Sequence, residues 1–404
     1  MNICFLVWSP DISGGTNVIF EHATRLKRMG ENVTIITEEV VCKNRLKWFP
    51  GAEELEWKTY KEVKDRFFDL CFATWWKTVF QLKLVNSRHY LYFVQSIESK
   101  FYPESDVILR NLVELTYSLD LKIITEATWI QDYLLKNYGK EAYLVKNGIR
   151  KEFFNCNLKP IENRCEDKLR VIVEGPLGVP FKNTELALKL VNESNADEVW
   201  LLTSTEIGAY PKVDRLFSRV PISKVGTIYS SCDVLVKLST VEGMFGPPLE
   251  MYHCGGTSIS YDVTGYDEYI VHGKNGLVSF SRDNIDIVNK INSLKAEKTL
   301  LKELKYNALS TAESWPDWND SSNKFMQILS EIHSQEINQD IKKIGRVADL
   351  TYSMYEDNIK VVAANNFNVN ALKIKFLTHL LEHYPLLFSI MRKTKWTLLS
   401  FWKK

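Results

Sequence analysis

Apolar runs typical of buried strands alternate with amphipathic segments along most of this chain. The first run, ICFLVW, is followed by TNVIFEHATRLKRMG, in which Val18, Ile19, Leu26 and Met29 recur at helical spacing, and then by NVTIIT. After a polar stretch at residues 155–168, the alternation starts again with LRVIVEG and NTELALKLVNES. Strands that alternate with helices predict an α/β fold, here two Rossmann-like domains whose parallel sheets face a cleft.

The polar stretch and the composition of the C-terminus divide the chain into three parts. We place one Rossmann-like domain at residues 1–155, a second at 156–335, and a helical, basic and aromatic extension at 336–404. Residues 385–404 interleave aromatic side chains with cations and contain no acid. This composition is typical of a helix on an anionic membrane surface, although a docked helix with a solvated basic end has the same pattern.

Charge, apolar content and cysteine usage limit where the protein works. A formal net charge of +1 gives no long-range attraction for nucleic acid. No apolar run is long enough to cross a membrane, and MNICFLVWSPDISGG lacks the basic start and cleavage site of a signal peptide. Seven cysteines without a C-x-x-C pair indicate reduced thiols. We therefore expect a cytoplasmic protein, at most peripheral on the inner face of the plasma membrane.

The segment EGMFGPPLE, residues 242–250, follows the predicted strand DVLVKLS and opens a predicted helix. Open α/β sheets bind ligands at the carboxyl ends of their strands, and a helix start offers free N–H groups to a diphosphate. Glu242 and Glu250 lie at the two ends of this turn, where each carboxylate can accept hydrogen bonds from vicinal hydroxyls. The segment predicts a site for polyols and phosphate, although a solvated loop acid and a first-turn acid would give the same pattern.

This E-x7-E segment, the Gly-Gly loop in SPDISGGT and the NG in VKNGI together resemble the retaining glycosyltransferases of family 4, which are GT-B enzymes with two Rossmann-like domains. The resemblance runs from residue 1 to about residue 335 and includes HGKNGLVSF. Residues 310–335 are similar to the family's late helix, which crosses back to the first domain. YFVQSIESKFYP and IITEATWIQDYLLKNYG are similar to a subgroup that includes rhamnosyltransferases of bacterial surface-glycan assembly.

The resemblance implies a role for each matching residue. Glu250 would bind the ribose hydroxyls of the donor nucleotide, Glu242 would hold the transferred sugar, and Lys182 would neutralise the diphosphate as charge develops. The other donor-side residues would face the sugar and diphosphate or assist from a helix start: Gly14, Gly15, Asn183, Thr184, Gly243, Met244, Phe245 and Gly246. Gln95 and Glu98, which follow a strand of the first domain, are expected to face the cleft on the acceptor or sugar side.

One position departs from the family pattern. The family often has Arg after the glycine that ends the first strand of the second domain, whereas Gly175 is followed here by Pro176. One cation of the usual pair is therefore missing, and Lys237 and Arg150 are candidates to replace it. No metal and no cofactor are expected, because the family needs no metal and no D-x-D motif stands beside the predicted nucleotide site.

These features predict a retaining glycosyltransferase that takes a sugar from a nucleotide-diphosphate sugar, with dTDP-rhamnose implied by the subgroup. The acceptor would be a glycan or a lipid-linked saccharide of bacterial surface polysaccharide assembly, with an anionic membrane as a further partner of residues 385–404. Two alternatives remain: a non-catalytic nucleotide-sugar-binding protein, suggested by Pro176, and a sugar-nucleotide epimerase of the same fold. A dinucleotide-dependent dehydrogenase is disfavoured, because no G-x-G-x-x-G follows the first strand.

Overall fold

The computed structural model describes residues 1–336 and 339–365, with the backbone alone at 361–365. A seven-stranded parallel sheet, ordered β3-β2-β1-β4-β5-β6-β7, forms the first half. Its strands are β1 (Asn2–Leu6), β2 (Asn32–Thr37), β3 (Glu56–Thr59), β4 (Phe67–Ala73), β5 (Asn86–Val94), β6 (Lys122–Thr125) and β7 (Ala142–Leu144). The helices of this half are α1 (Gly14–Arg28), α2 (Trp76–Val79), α3 (Val107–Ser118) and α4 (Thr128–Tyr138).

A six-stranded parallel sheet, ordered β10-β9-β8-β11-β12-β13, forms the second half. Its strands are β8 (Arg170–Glu174), β9 (Glu198–Thr203), β10 (Arg215–Ser218), β11 (Val234–Lys237), β12 (Thr257–Tyr261) and β13 (Leu277–Ser279). Its helices are α5 (Thr184–Asn192), α6 (Ile222–Tyr229), α7 (Gly246–His253), α8 (Asn284–Ala296) and α9 (Lys298–Glu313). The predicted pair of parallel α/β sheets is confirmed.

Each sheet has a hydrophobic core on both of its faces. In β1, Cys4 and Leu6 point into one core, whereas Ile3 and Phe5 point into the other, because successive side chains of a strand alternate between faces. Strands covered on both sides have no solvent-facing positions, so they appear in the sequence as continuous apolar runs. This explains why the central strands were visible in the sequence.

Two further helices return to the first half of the molecule. Helix α10 (Trp318–Ser334) packs against α1, and the Phe325 ring stacks on His22 at 4.2 Å between ring centroids. The crossing helix that the family resemblance implied is therefore present. Helix α11 (Ile341–Asn365) contacts α3 and buries Ile344 and Ala348. Domain limits at 155 and 335 stay a prediction.

The C-terminal segment is described only in part. Its helical character is confirmed by α11, whereas the basic and aromatic segment 385–404 lies outside the described residues. Within residues 1–336 and 339–365, no helix combines the length and apolarity that a membrane crossing requires.

Candidate active site

The candidate site lies where the second sheet reverses its strand order. Strands β8 and β11 are neighbours in the sheet although they are not consecutive in the chain. Helix α5, after β8, packs into one core, and α7, which comes after β11, packs into the core on the opposite face. The carboxyl ends of these two strands therefore border a crevice of the kind in which open α/β sheets bind ligands. The segment EGMFGPPLE stands at this point, as the sequence predicted.

Glu242 is a buried carboxylate placed between two lysines. Its Oε2 accepts a hydrogen bond from Lys182 Nζ at 2.6 Å, and its Oε1 lies 3.9 Å from Lys237 Nζ. Burial by itself would raise the pKa of Glu242, but attraction to the two ammonium groups outweighs it and lowers the pKa. Oε1 is buried and has no hydrogen-bond partner among the described residues. Glu242 is therefore an ionised acceptor with one oxygen whose hydrogen-bonding capacity is unused.

Glu250 is a partly buried acid on α7, and its carboxyl makes no hydrogen bond in the part of the chain that the structure describes. Burial, followed by repulsion from Glu174, raises its pKa to about 8, whereas Lys237 acts in the opposite direction. Hydrogen-bond donors from a ligand would stabilise the ionised form of such a carboxyl. Its environment is compatible with a diol ligand, and the ribose role stays a prediction.

Of the two candidates for the missing cation, the structure places Lys237 in the site. Lys237 ends β11, has a side chain that is 3% exposed, and donates to Glu174 Oε2 at 2.5 Å. Arg150 instead pairs with the buried Glu21 of α1. The Lys237–Glu174 pair was missed by the sequence reading, although a lysine at the end of the apolar run DVLVKLS was a usable signal, since lysine is almost never buried unless it is paired.

The start of α7 offers fewer free N–H groups than the sequence suggested. Two prolines follow Gly246 in the first turn and have no N–H. The Gly246 amide donates to the Met244 carbonyl at 2.9 Å, and the Leu249 amide faces the Tyr269 hydroxyl. The amides of Gly243 and Phe245 make no hydrogen bond among the described residues, and the diphosphate site in this turn stays a prediction.

The start of α1 also has free backbone donors. Ser13 caps this helix, and its Oγ accepts from the Thr16 amide at 3.0 Å. The amides of Gly14 and Gly15 make no backbone hydrogen bond among the described residues, and neither glycine has a positive φ. Their sequence pattern also fitted a turn that needs positive φ, and the structure removes that explanation. Two adjacent free amides at a helix start suit an anion.

The two other residues expected near the diphosphate hold the local chain. Asn183 Nδ2 donates to the Leu238 carbonyl at 2.9 Å, and Thr184 Oγ1 donates to the Pro176 carbonyl at 2.9 Å. Phe245 is fully buried, and its carbonyl accepts from Tyr269. These contacts fix the loops around the site and bury the side chains of Thr184 and Phe245, whereas Asn183 is partly exposed and its donor role stays a prediction.

The turn after Glu242 contacts the first half of the molecule. The Met244 amide donates to Glu126 Oε1 at 2.9 Å, and the Gly243 carbonyl accepts from Trp129 Nε1 at 2.9 Å. The other oxygen of Glu126 accepts from Asn147 Nδ2 at 2.9 Å. Burial raises the pKa of Glu126 to about 7, although the bonds from Met244 and Asn147 oppose this shift. The sequence reading missed Glu126, whose signal was an acid directly after the strand LKIIT.

The two residues expected on the acceptor side lie in different places. Gln95 borders both the turn and the start of α1, because a Cβ atom added to Gly243 would lie 1.9 Å from its carbonyl oxygen and one added to Gly15 would lie 3.3 Å from its Oε1. This Oε1 is buried without a partner among the described residues. Glu98 instead points into the first half, where its Oε2 accepts from the Trp76 amide at 2.8 Å and the Tyr92 hydroxyl at 2.9 Å. The expectation that Glu98 faces the cleft was wrong.

The described part of the chain contains no candidate metal site. Among residues 1–336 and 339–365, no group of three or more His, Cys, Asp or Glu side chains is placed to hold an ion. The His22 ring is fully buried against Phe325, and burial lowers its pKa to about 3. His22 is therefore a packed, neutral histidine rather than a base.

One family model matches this chain. Residues 212–311 match the family described as Glycosyl transferases group 1. This range includes Glu242 and Glu250 but not Lys182. A search of curated proteins returned no match.

Several solved structures share the fold. Sucrose-phosphate synthase from Thermosynechococcus elongatus is 15% identical with a TM-score of 0.65, covering 82% of this chain and 98% of the other. HepE from Anabaena, in complex with UDP and glucose, is 14% identical with a TM-score of 0.64, covering 82% and 100%. WaaG, a glycosyltransferase involved in lipopolysaccharide biosynthesis, is 14% identical with a TM-score of 0.63, covering 81% and 99%.

These similarities agree with the two parallel sheets and with the place of the E-x7-E segment. At such low identity the solved structures establish the fold, whereas the family model establishes the domain. The chain therefore has a GT-B fold, within which residues 212–311 are similar to the family described as Glycosyl transferases group 1.

Proposed function

We propose that this protein is a retaining glycosyltransferase that moves a sugar from a nucleotide-diphosphate sugar to a saccharide acceptor. The observation that carries the proposal is the charge arrangement at the carboxyl ends of β8 and β11. There the ionised Glu242 pairs with Lys182, while the carboxyl of Glu250 makes no hydrogen bond in the described residues. A donor with two sets of vicinal hydroxyls joined by a diphosphate complements two carboxyl groups and a lysine.

In the proposed complex, each part of the donor meets one group of the site. Glu250 accepts hydrogen bonds from the ribose, Glu242 from the transferred sugar, and the Gly14 and Gly15 amides face the diphosphate. Lys182 is half-buried and carries its charge on a flexible stem, so its ammonium can turn from Glu242 to the diphosphate. A cation at that place stabilises the negative charge that develops as the nucleoside diphosphate leaves.

Retention of the anomeric configuration follows from attack on the same face that the leaving group occupies. The acceptor oxygen bonds to the anomeric carbon as the bond from that carbon to the diphosphate oxygen breaks. The departing phosphate oxygen takes the proton of the acceptor hydroxyl. No protein base is then required, which suits a site whose acid Glu242 is held between two lysines.

The donor and the acceptor are the finer part of the proposal. The subgroup resemblance supports dTDP-rhamnose, whereas the HepE structure with UDP and glucose makes a UDP-sugar the first competitor to test. For the acceptor we propose a glycan or a lipid-linked saccharide of surface polysaccharide assembly. The name of WaaG, which links it to lipopolysaccharide biosynthesis, supports this class. Residues 385–404 would bring the enzyme to a cytoplasmic, anionic membrane surface where a lipid-linked acceptor resides.

The donor site is tested by thermal-shift measurements with UDP, dTDP, GDP, CMP and their sugars. A ligand that binds the folded state alone raises the melting temperature by mass action. We expect one nucleotide to shift the wild type and to lose its effect in Glu250→Ala. Glu303→Ala is the matched control, because Glu303 is an exposed acid on the surface of α9. No shift by any nucleotide, or an equal shift in Glu250→Ala, would refute the donor site.

Turnover separates the proposal from its alternatives. With the nucleotide sugar that binds, we expect release of nucleoside diphosphate to depend on added saccharide acceptor and the product to keep the anomeric configuration of the donor. An epimerase would convert the donor without an acceptor, and a binding protein would leave it intact. Anomeric proton couplings in the product's NMR spectrum report retention or inversion.

A further inference from the structure

A buried lysine stands at the end of β11 where the rest of the strand is apolar. The three preceding residues of the strand, Val234, Leu235 and Val236, are fully buried. The Lys237 side chain is 3% exposed. An unpaired ammonium group in such surroundings is costly, so a lysine is found there only when nearby carboxylates compensate for its lost hydration. For Lys237, these carboxylates are those of Glu174 and Glu242.

Lys237 is held from two sides. Its Nζ donates to Glu174 Oε2 at 2.5 Å, approaches the Glu174 carbonyl at 3.4 Å, and lies 3.9 Å from Glu242 Oε1. Burial would lower the pKa of Lys237, but attraction to Glu174 and then Glu242 outweighs it and raises the pKa. Lys237 is thus a permanently charged group in a fixed place.

Lys182 contacts the other oxygen of the Glu242 carboxylate and is more exposed than Lys237. Its Nζ lies 2.6 Å from Glu242 Oε2, and its side chain is 22% exposed. It belongs to the short turn Pro180–Lys182 at the rim of the site. When Lys182 turns to a diphosphate, Glu242 loses its closest cation, and Lys237 alone stays beside it. The two lysines therefore differ in exposure although they share one partner.

We propose that Lys237 is a positioning residue that keeps Glu242 ionised and in place after Lys182 moves to the donor. The role of Lys237 in turnover rests on the proposed function. Its effect on the charge of Glu242 does not, because the two residues already lie 3.9 Å apart in the ligand-free structure. Lys237 on β11 would thus hold Glu242 in place, and Lys182 would be free to bind the leaving diphosphate.

Among the described residues, the other ionisable neighbours of this site are acids and a phenol. Glu174 ends β8, Glu250 lies on α7, and Glu126 follows β6; repulsion involving these acids contributes to the raised pKa of Glu126 and of Glu250. Tyr269 also lies within electrostatic reach of Glu242. Because these neighbours are acids or a phenol, Lys182 and Lys237 are the cations that lower the pKa of Glu242.

The test compares two variants that differ in Lys237 alone. Glu174→Gln is the reference, and Lys237→Met with Glu174→Gln is the test variant, so that no buried carboxylate is left without its lysine. Selective 13C labelling of glutamate allows the Glu242 carboxyl to be titrated without any ligand. We expect the titration of Glu242 in the test variant to lie about one pH unit or more above the reference, equivalent to a tenfold change in the proton equilibrium. Lys237→Arg should titrate as the wild type does.

Nucleotide binding and turnover give the second readout. We expect the nucleoside diphosphate that shifts the wild type to bind the test variant within about threefold of the reference, whereas the acidic limb of kcat/KM moves upward by about one pH unit. Lys182→Met should instead weaken diphosphate binding by about tenfold or more and leave nucleoside binding unchanged. An unmoved Glu242 titration overturns the inference, and so does a loss of diphosphate binding that equals the loss in Lys182→Met.

The two proposals fail in different ways. If the wild type binds no nucleotide, the proposed function is wrong, but the ligand-free titration still decides whether Lys237 keeps Glu242 ionised. If nucleotide binds and the titration does not differ between the two variants, the function stands and the role of Lys237 is refuted.

Discussion

Gly243 is the point at which a single methyl group should disturb the contact between the two halves of the molecule. An added Cβ atom would lie 1.9 Å from the Gln95 carbonyl oxygen and 2.6 Å from Glu126 Oε1. Since carbon and oxygen approach to about 3.3 Å in favourable contacts, the turn must retreat by roughly 1.4 Å from the Gln95 carbonyl. Neither neighbour can yield easily, because one is backbone and the other is held by Met244 and Asn147.

A retreat of this size would break the hydrogen bonds that join the turn to the first half. The Met244 amide to Glu126 and the Trp129 indole to the Gly243 carbonyl are each 2.9 Å long, and either would exceed hydrogen-bonding distance. A neutral bond contributes about 1 kcal/mol and a bond to a charged group about 1.5–3 kcal/mol. The expected loss of about 2–4 kcal/mol corresponds to a decrease of about 30- to 1,000-fold in kcat/KM if the contact is kept in the transition state.

The assay is nucleotide-sugar turnover by Gly243→Ala, compared with Gly208→Ala, which lies outside the candidate site. A Cβ atom at Gly208 would meet nothing within 4 Å, and Gly208 is exposed and has no positive φ. We expect Gly208→Ala to stay within about threefold of the wild type, since surface changes cost about 0.5 kcal/mol or less. Full activity in Gly243→Ala, or an equal loss in Gly208→Ala, would show that the contact with Gln95 and Glu126 does not support the site.

Two further predictions concern pH and the membrane. Because burial raises the pKa of Glu126 from 4.5 to about 7, the folded protein holds this proton more tightly than the unfolded chain, and its contribution to stability should fall by at most about 3 kcal/mol between pH 4.5 and 7. Glu126→Gln should therefore gain stability relative to the wild type as pH rises from 5 to 8 in denaturant melts, and parallel pH curves would contradict this. Removing residues 385–404 should abolish co-sedimentation with anionic liposomes without changing the melting temperature, and unchanged sedimentation would exclude the membrane role.

The sequence predicted the central strands and the edge strands β7 and β13, but it did not predict the edge strands β3 and β10. Buried runs such as NVTIIT and DVLVKLS became β2 and β11, because strands covered on both faces are mainly apolar. The edge strands β3 and β10 have the sequences EWKT and RLFS, which are short and partly polar. Four residues without a continuous apolar run give too little periodicity to be recognised as a strand.

The candidate site was predictable in its location but not in its contacts. The carboxyl end of β11 follows from the topology, and the spacing of Glu242 and Glu250 follows from the sequence. The direction of a loop side chain does not: Glu98 follows its strand as Gln95 does, yet points into the core. The two prolines in the first turn of α7 remove two of the N–H groups that the general rule for helix starts assigns to a diphosphate.

The contacts of the turn explain how closure of the two halves and donor chemistry can depend on each other. Gly243 and Met244 follow Glu242 directly and are bonded to Trp129 and Glu126 of the first half. In the proposed mechanism, separation of the halves would break these bonds, and the turn that holds Glu242 would lose its support on that side. The two lysines belong to the second half and would stay beside Glu242. We therefore expect opening to leave the charge of Glu242 unchanged but to release its position, so that an open molecule would admit the donor and a closed one would hold the sugar for transfer.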